Sequence, residues 1–129
     1  PFLDSAHACL PNKAIIITEF GVDGNRVGPV EERGTYAFQA NTAAYDLGVF
    51  KARPWLSGAL YFVLQDFVSF PEYSGGNPLP DAPYNQKGLF DLFGNPKPVE
   101  SVVSSAYHST TQLAPLRRSS KKLQRSGGL

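Results

Sequence analysis

Residues 14–20 read Ala-Ile-Ile-Ile-Thr-Glu-Phe, and Gly21 follows. An apolar run of this kind, without polar alternation, reads as a parallel strand buried on both faces. Its one ionisable group, Glu19, stands where the strand meets its loop. In α/β folds the carboxyl ends of strands are where ligands and reacting side chains gather. A Glu set between apolar walls there suits nucleophilic or acid/base chemistry. The plainer reading is a carboxylate that caps a helix or pairs with Arg26.

The segments around this strand repeat an alternation. Residues 2–10 have a helical pattern, and Pro11-Asn12-Lys13 makes the turn into the strand. A polar, glycine-rich loop over 21–30 leads to Glu31 and Glu32, which suit a helix N-terminus. From 32 to 51, Ala37, Ala40, Ala44, Leu47 and Phe50 recur at helical spacing, and Arg53-Pro54 ends the pattern. Residues 58–64, Gly-Ala-Leu-Tyr-Phe-Val-Leu, form a second buried-strand candidate ending in Gln65 and Asp66. A Pro- and Gly-rich loop over 68–86 carries Tyr73, Asn77 and Tyr84, and loops this long are functional or disordered. Residues 88–95 suit a small hairpin or turn. Pro96 and Pro98 suit the first turn of a last helix over 99–108. Helix, strand, helix, strand, helix is the βαβ order of a parallel sheet.

Composition narrows the classes. Of 129 residues, 42% are hydrophobic, enough for a core, while the net charge of +1 gives no field to recruit nucleic acid or an anionic membrane. No stretch is long enough to cross a bilayer. The lone Cys9 allows no internal disulfide and has no partners for a zinc site. The chain has no Met, so Pro1 is not a natural start, and a piece of a longer protein is expected. Residues 117–129 are mostly Ser, Lys, Arg, Gln and Gly and are expected to form a flexible tail.

Three stretches resemble the C-terminal part of the catalytic barrel in glycoside hydrolase family 2, the β-galactosidase and β-glucuronidase family. They are Ile16-Ile17-Thr18-Glu19-Phe20-Gly21; Trp55-Leu56-Ser57-Gly58-Ala59-Leu60-Tyr61 running on to Gln65-Asp66-Phe67; and Lys87-Gly88-Leu89-Phe90-Asp91 with Gly94-Asn95-Pro96-Lys97-Pro98. The resemblance implies a partial (β/α)8 TIM barrel over 1–115, roughly strand seven to helix eight, since a whole barrel takes about 250 residues. Residues 116–129 would be a flexible basic tail or linker. It also implies that Glu19 is the nucleophile of a retaining β-glycosidase acting on a carbohydrate β-glycoside, without an organic cofactor or a metal.

Two departures matter. The family's acid/base Glu follows an Asn on the fourth strand, and no Asn-Glu pair occurs in this sequence. The chain alone is therefore expected to be inactive and to need the remainder of the barrel. The family's sugar-flooring Trp is also absent, with Tyr61 and Phe62 in its place. Alternation turns one of these toward the barrel interior and the other toward the helices. Asp66 shapes the pocket rim or bonds loop amides, and Tyr73 and Tyr84, with Asn77, are either sugar subsites or loop filler. Trp55, His7 and His108 read as packing and surface residues. A rival of another class is a non-catalytic truncated barrel module that binds carbohydrate weakly or packs on a partner chain.

Overall fold

The computed structural model describes residues 1–110; the basic tail lies outside the described residues. The first helix, α1 (Phe2–Cys9), precedes strand β1 (Ile15–Phe20). Two short strands follow, β2 (Gly24–Arg26) and β3 (Gly34–Thr35), and then the long helix α2 (Tyr36–Lys51). Strand β4 (Leu56–Tyr61), the paired short strands β5 (Phe67–Val68) and β6 (Tyr84–Asn85), and helix α3 (Pro98–His108) complete the order. β1 and β4 run parallel with α2 as their crossover, as the alternation predicts.

The register between β1 and β4 determines which way Glu19 faces. Ile16 pairs with Gly58, Ile17 with Ala59, and Phe20 with Tyr61. Three steps along β1 thus match two along β4, which is one extra residue, a β-bulge over Thr18 and Glu19. In strict alternation Glu19 would share the face of Ile17. The bulge instead returns Phe20 to that face, where its ring meets Phe50 of α2 at 5.1 Å and Tyr61 at 5.3 Å, both edge-on. Glu19 is left exposed on the other side. The expectation of a strand buried on both faces is corrected here. Helix α2 covers one face, while Ile16 and Leu60 on the opposite face remain 54% and 58% exposed.

Helix α2 starts later than the acidic pair suggests. Thr35 is its N-cap and accepts a hydrogen bond from the Phe38 N–H at 3.0 Å. Glu32 is held by Arg26 at 2.8 Å instead. The buried face also differs from the alanine pattern, because Ala37 and Ala44 are exposed while Gln39 and Ala43 are buried. Ala43 packs with Val99 and Val103 of α3, and Leu47, Tyr61 and Leu89 close around them. Pro98 opens α3 at its first turn, where a missing N–H costs nothing.

Strand β4 ends at Tyr61, earlier than expected, because the chain then pairs elsewhere. Leu89 N–H donates to Val63 O at 2.9 Å and Phe90 N–H to Leu64 O at 3.0 Å, so residues 62–66 lie along 88–90. The long loop is tied at its ends by β5 and β6, which pair antiparallel. Asp91 organises the turn at 91–95, accepting from the N–H groups of Phe93 and Asn95 at 2.8 Å each.

Candidate active site

At the carboxyl end of β1, Glu19, Phe20, Gly21, Phe62 and Lys87 line a cavity of about 190 Å3. The bulge brings Glu19 here, and alternation brings Phe62, since its neighbour Tyr61 is turned to the helices. Gly21 has φ +131, and a Cβ there would lie 2.9 Å from the Phe62 carbonyl oxygen, so only glycine lets the two strand ends approach this closely. The Phe62 ring is supported edge-on by Phe67 at 6.2 Å. Among the described residues Glu19 has no salt bridge, and Arg26 pairs with Glu32 rather than with it. The arrangement brings a Glu, a Phe and a Lys residue to one small space.

Other expected site residues lie elsewhere. Tyr61 does not line this cavity: its ring packs against Phe20, its hydroxyl accepts from the Gln39 amide at 3.3 Å, and burial pushes that hydroxyl well above the usual tyrosine range. Asp66 does not line it either. It is buried, accepts from Gly88 N–H at 2.7 Å and pairs with Lys97 at 2.7 Å. Burial raises the Asp66 carboxyl and lowers the Lys97 ammonium, and the pair with its hydrogen bonds opposes both shifts. Tyr84 sits in β6 opposite Val68. Tyr73 packs edge-on against Phe70 at 5.5 Å, and burial together with the nearby Asp23 pushes its hydroxyl up to about 12. Neither tyrosine reaches the Glu19 cavity. Asn77 accepts from Arg26 at 3.1 Å and lines a separate cavity beside α2, with Asp23, Arg33 and Phe38.

Lys87 is the site residue that sequence reasoning missed. It stands at the head of the Lys87-Gly88-Leu89-Phe90-Asp91 stretch, and its signal is a lone cation between a long loop and a short apolar pair. The backbone around it is fixed by buried polar groups. Gln86 N–H donates to Asp23 Oδ1 at 2.9 Å, and Lys97 Nζ donates to Gln86 O at 2.9 Å and Gly24 O at 3.0 Å. Burial raises the Asp23 carboxyl, while the Gln86 N–H pulls it back. Among the described residues no three His, Cys, Asp or Glu side chains gather to hold a metal ion.

No family model matches the sequence, and no curated protein matches it. Solved structures do. A GH2 β-galacturonidase from Eisenbergiella tayi bound to galacturonate superposes with TM-score 0.74 at 22% identity, covering 88% of this chain and 21% of that one. The Ruminococcus gnavus β-glucuronidase gives 0.70 at 20% identity, covering 87% of this chain and 18% of that one. The Bifidobacterium dentium β-glucuronidase complexed with coumarin-3-O-glucuronide also gives 0.70 at 20% identity, over 88% and 18%. The chain spans about a fifth of the length of the solved structures it matches. It is a mixed α/β segment with small sheets. Its fold is similar to that of part of the GH2 β-galacturonidases and β-glucuronidases.

Proposed function

We propose that this chain is the closing part of a retaining (β/α)8 β-glycosidase barrel, with β1 and β4 as its last two strands and Glu19 as the nucleophile. The observation that carries this reading is the meeting of Glu19, Phe62 and Lys87 in one cavity at the carboxyl end of parallel strands. In the reaction so written, the Glu19 carboxylate attacks the anomeric carbon as the bond to the leaving oxygen breaks. A general acid delivers the proton to that oxygen. Water then cleaves the glycosyl ester, and the second carboxyl, now a base, takes the proton of the water. No cofactor enters these steps.

The second carboxyl must lie about 5–5.5 Å from Glu19, and this chain has no Asn-Glu pair to supply it. It comes from the remainder of the barrel, and the chain alone is inactive. The Phe62 ring takes the position of a sugar floor, its face against pyranose C–H groups. Lys87 adds a point charge that a neutral sugar does not need. The solved neighbours include enzymes with galacturonate or a glucuronide bound, so the substrate class this site fits is a β-uronide, its carboxylate against the Lys87 ammonium.

The test is a covalent label in the complete protein. A 2-deoxy-2-fluoro uronide inactivator should leave its sugar on the peptide containing Glu19, read by mass spectrometry. Glu19→Gln should fold normally and lose turnover by several orders of magnitude. A label on another carboxylate, or near-native turnover of that variant, would show that the nucleophile is elsewhere.

A further inference from the structure

We infer that Lys97, paired with Asp66 and assisted by Gln39, is a positioning residue that holds Lys87 in the Glu19 cavity and so governs the preference for a uronide over a neutral glycoside. This rests on the reading of Lys87 given above. Residues 86–88 belong to no helix or strand, so no ladder of backbone bonds fixes the point from which the Lys87 side chain starts.

Buried side chains do so on both flanks. On one, Gln86 N–H is bound by Asp23, and Gln86 O accepts from Gly24 N–H at 3.0 Å and from Lys97 at 2.9 Å. On the other, Gly88 N–H is bound by Asp66. Gln39 Nε2 lies 3.4 Å from both Gln86 O and Gly88 O, one on each side of Lys87. Gly88 is confined to glycine, since a Cβ would come within 2.4 Å of the Phe90 carbonyl oxygen and the Asp66 backbone nitrogen.

Lys97 has three N–H donors, and its partners are the Asp66 carboxylate, Gly24 O and Gln86 O. It thereby joins Gly24, at the start of β2, to the segment that carries Lys87. A buried ion pair is weak as a source of net stability, because desolvation offsets its attraction. What this pair does distinctively is fix the backbone on both sides of Lys87, the one lining residue between Gln86 and Gly88. A displacement of about 1 Å at such a point can cost up to about a hundredfold in function.

The experiment is equilibrium titration of the complete protein with galacturonate and with galactose, which needs no turnover. Asp66→Asn with Lys97→Met removes both charges together and avoids leaving one buried alone. In this double variant galacturonate affinity should fall about tenfold while galactose affinity stays within about twofold. Gln39→Met, which disturbs no charge, should shift the same preference in the same direction and keeps the test decisive if the double variant does not fold. If wild type prefers galacturonate and these variants keep that preference, or lose both sugars equally, the positioning role is overturned. If wild type shows no preference and Lys87→Met behaves like wild type, the uronide reading itself fails, and the inference with it.

Discussion

Thr35 concentrates three duties in one hydroxyl. It accepts from the Phe38 N–H at 3.0 Å, lies 2.9 Å from Pro29 O and 3.0 Å from Glu32 O as a donor, and is fully buried. Thr35→Ala should therefore lower stability by about 1–2 kcal/mol, seen as a drop in urea midpoint, while Thr35→Ser keeps most of it. This cap was hidden in the sequence because Glu31 and Glu32, four and three residues earlier, carry the stronger helix-start signal. Arg26 claims Glu32 from six residues away in the chain. Glu19 and Phe62 were legible, one as a strand-end carboxylate and the other as half of an alternating aromatic pair. Which of Tyr61 and Phe62 faces the cavity was not, because alternation gives parity without a sign. The sign comes from Phe20 packing on Tyr61 across the strand pair. Gln39 was invisible for a related reason: a polar residue on a helix reads as solvated until the carbonyls of Val22, Gln86 and Gly88 arrive around it.

Among the elements, those long enough to show a period were readable. Helices α1, α2 and α3 and strands β1 and β4 appear within a few residues of their expected places. Strands β2, β3, β5 and β6 are two or three residues each, too short to carry any periodicity, and they exist because distant segments meet. The bulge in β1 belongs to the same group, since only the partner strand reveals that a residue is extra. Helix α1 has no buried residue and is held by two contacts to the segment before β4. Arg53 grips Asp4 with two hydrogen bonds, at 3.0 and 2.6 Å, and His7 stacks flat on Trp55 with ring centroids 4.3 Å apart. The Arg53 hydrogen bond holds the Asp4 carboxyl below its usual range. A carboxyl depressed in the folded state contributes fully above its unfolded value of about 3.9, and that contribution fades as pH falls through the depressed value. Helix α1 should therefore loosen only under strong acid, with a change in Trp55 emission. Asp4→Asn should show the loosened signal already at neutral pH, and added salt should weaken the wild-type contact.

At the scale of the whole molecule, the decisive fact is a sheet with one covered face. The alternation of strand and helix made the parallel pairing and its crossover readable, because only a helix-length connection joins parallel neighbours. It could not show how little covers the second face, since that depends on what else packs there. Among the described residues β1 and β4 pair only with each other, and Ile16, opposite Gly58, and Leu60, two residues further along β4, are both exposed on the open side. Parallel sheets normally have both faces covered, and a two-stranded sheet is marginal in water. The chain by itself should therefore associate as its concentration rises, read by sedimentation, and should melt broadly rather than in one sharp step. Replacing Ile16 and Leu60 together with Thr puts β-branched, strand-compatible side chains at both positions while removing apolar surface from that face. That variant should remain monomeric at concentrations where the parent chain associates. If the parent instead sediments as a monomer and unfolds in a single cooperative transition, then α2, α3 and their small core suffice to hold the sheet. The open face would then be ordinary surface, not the inner wall of a barrel.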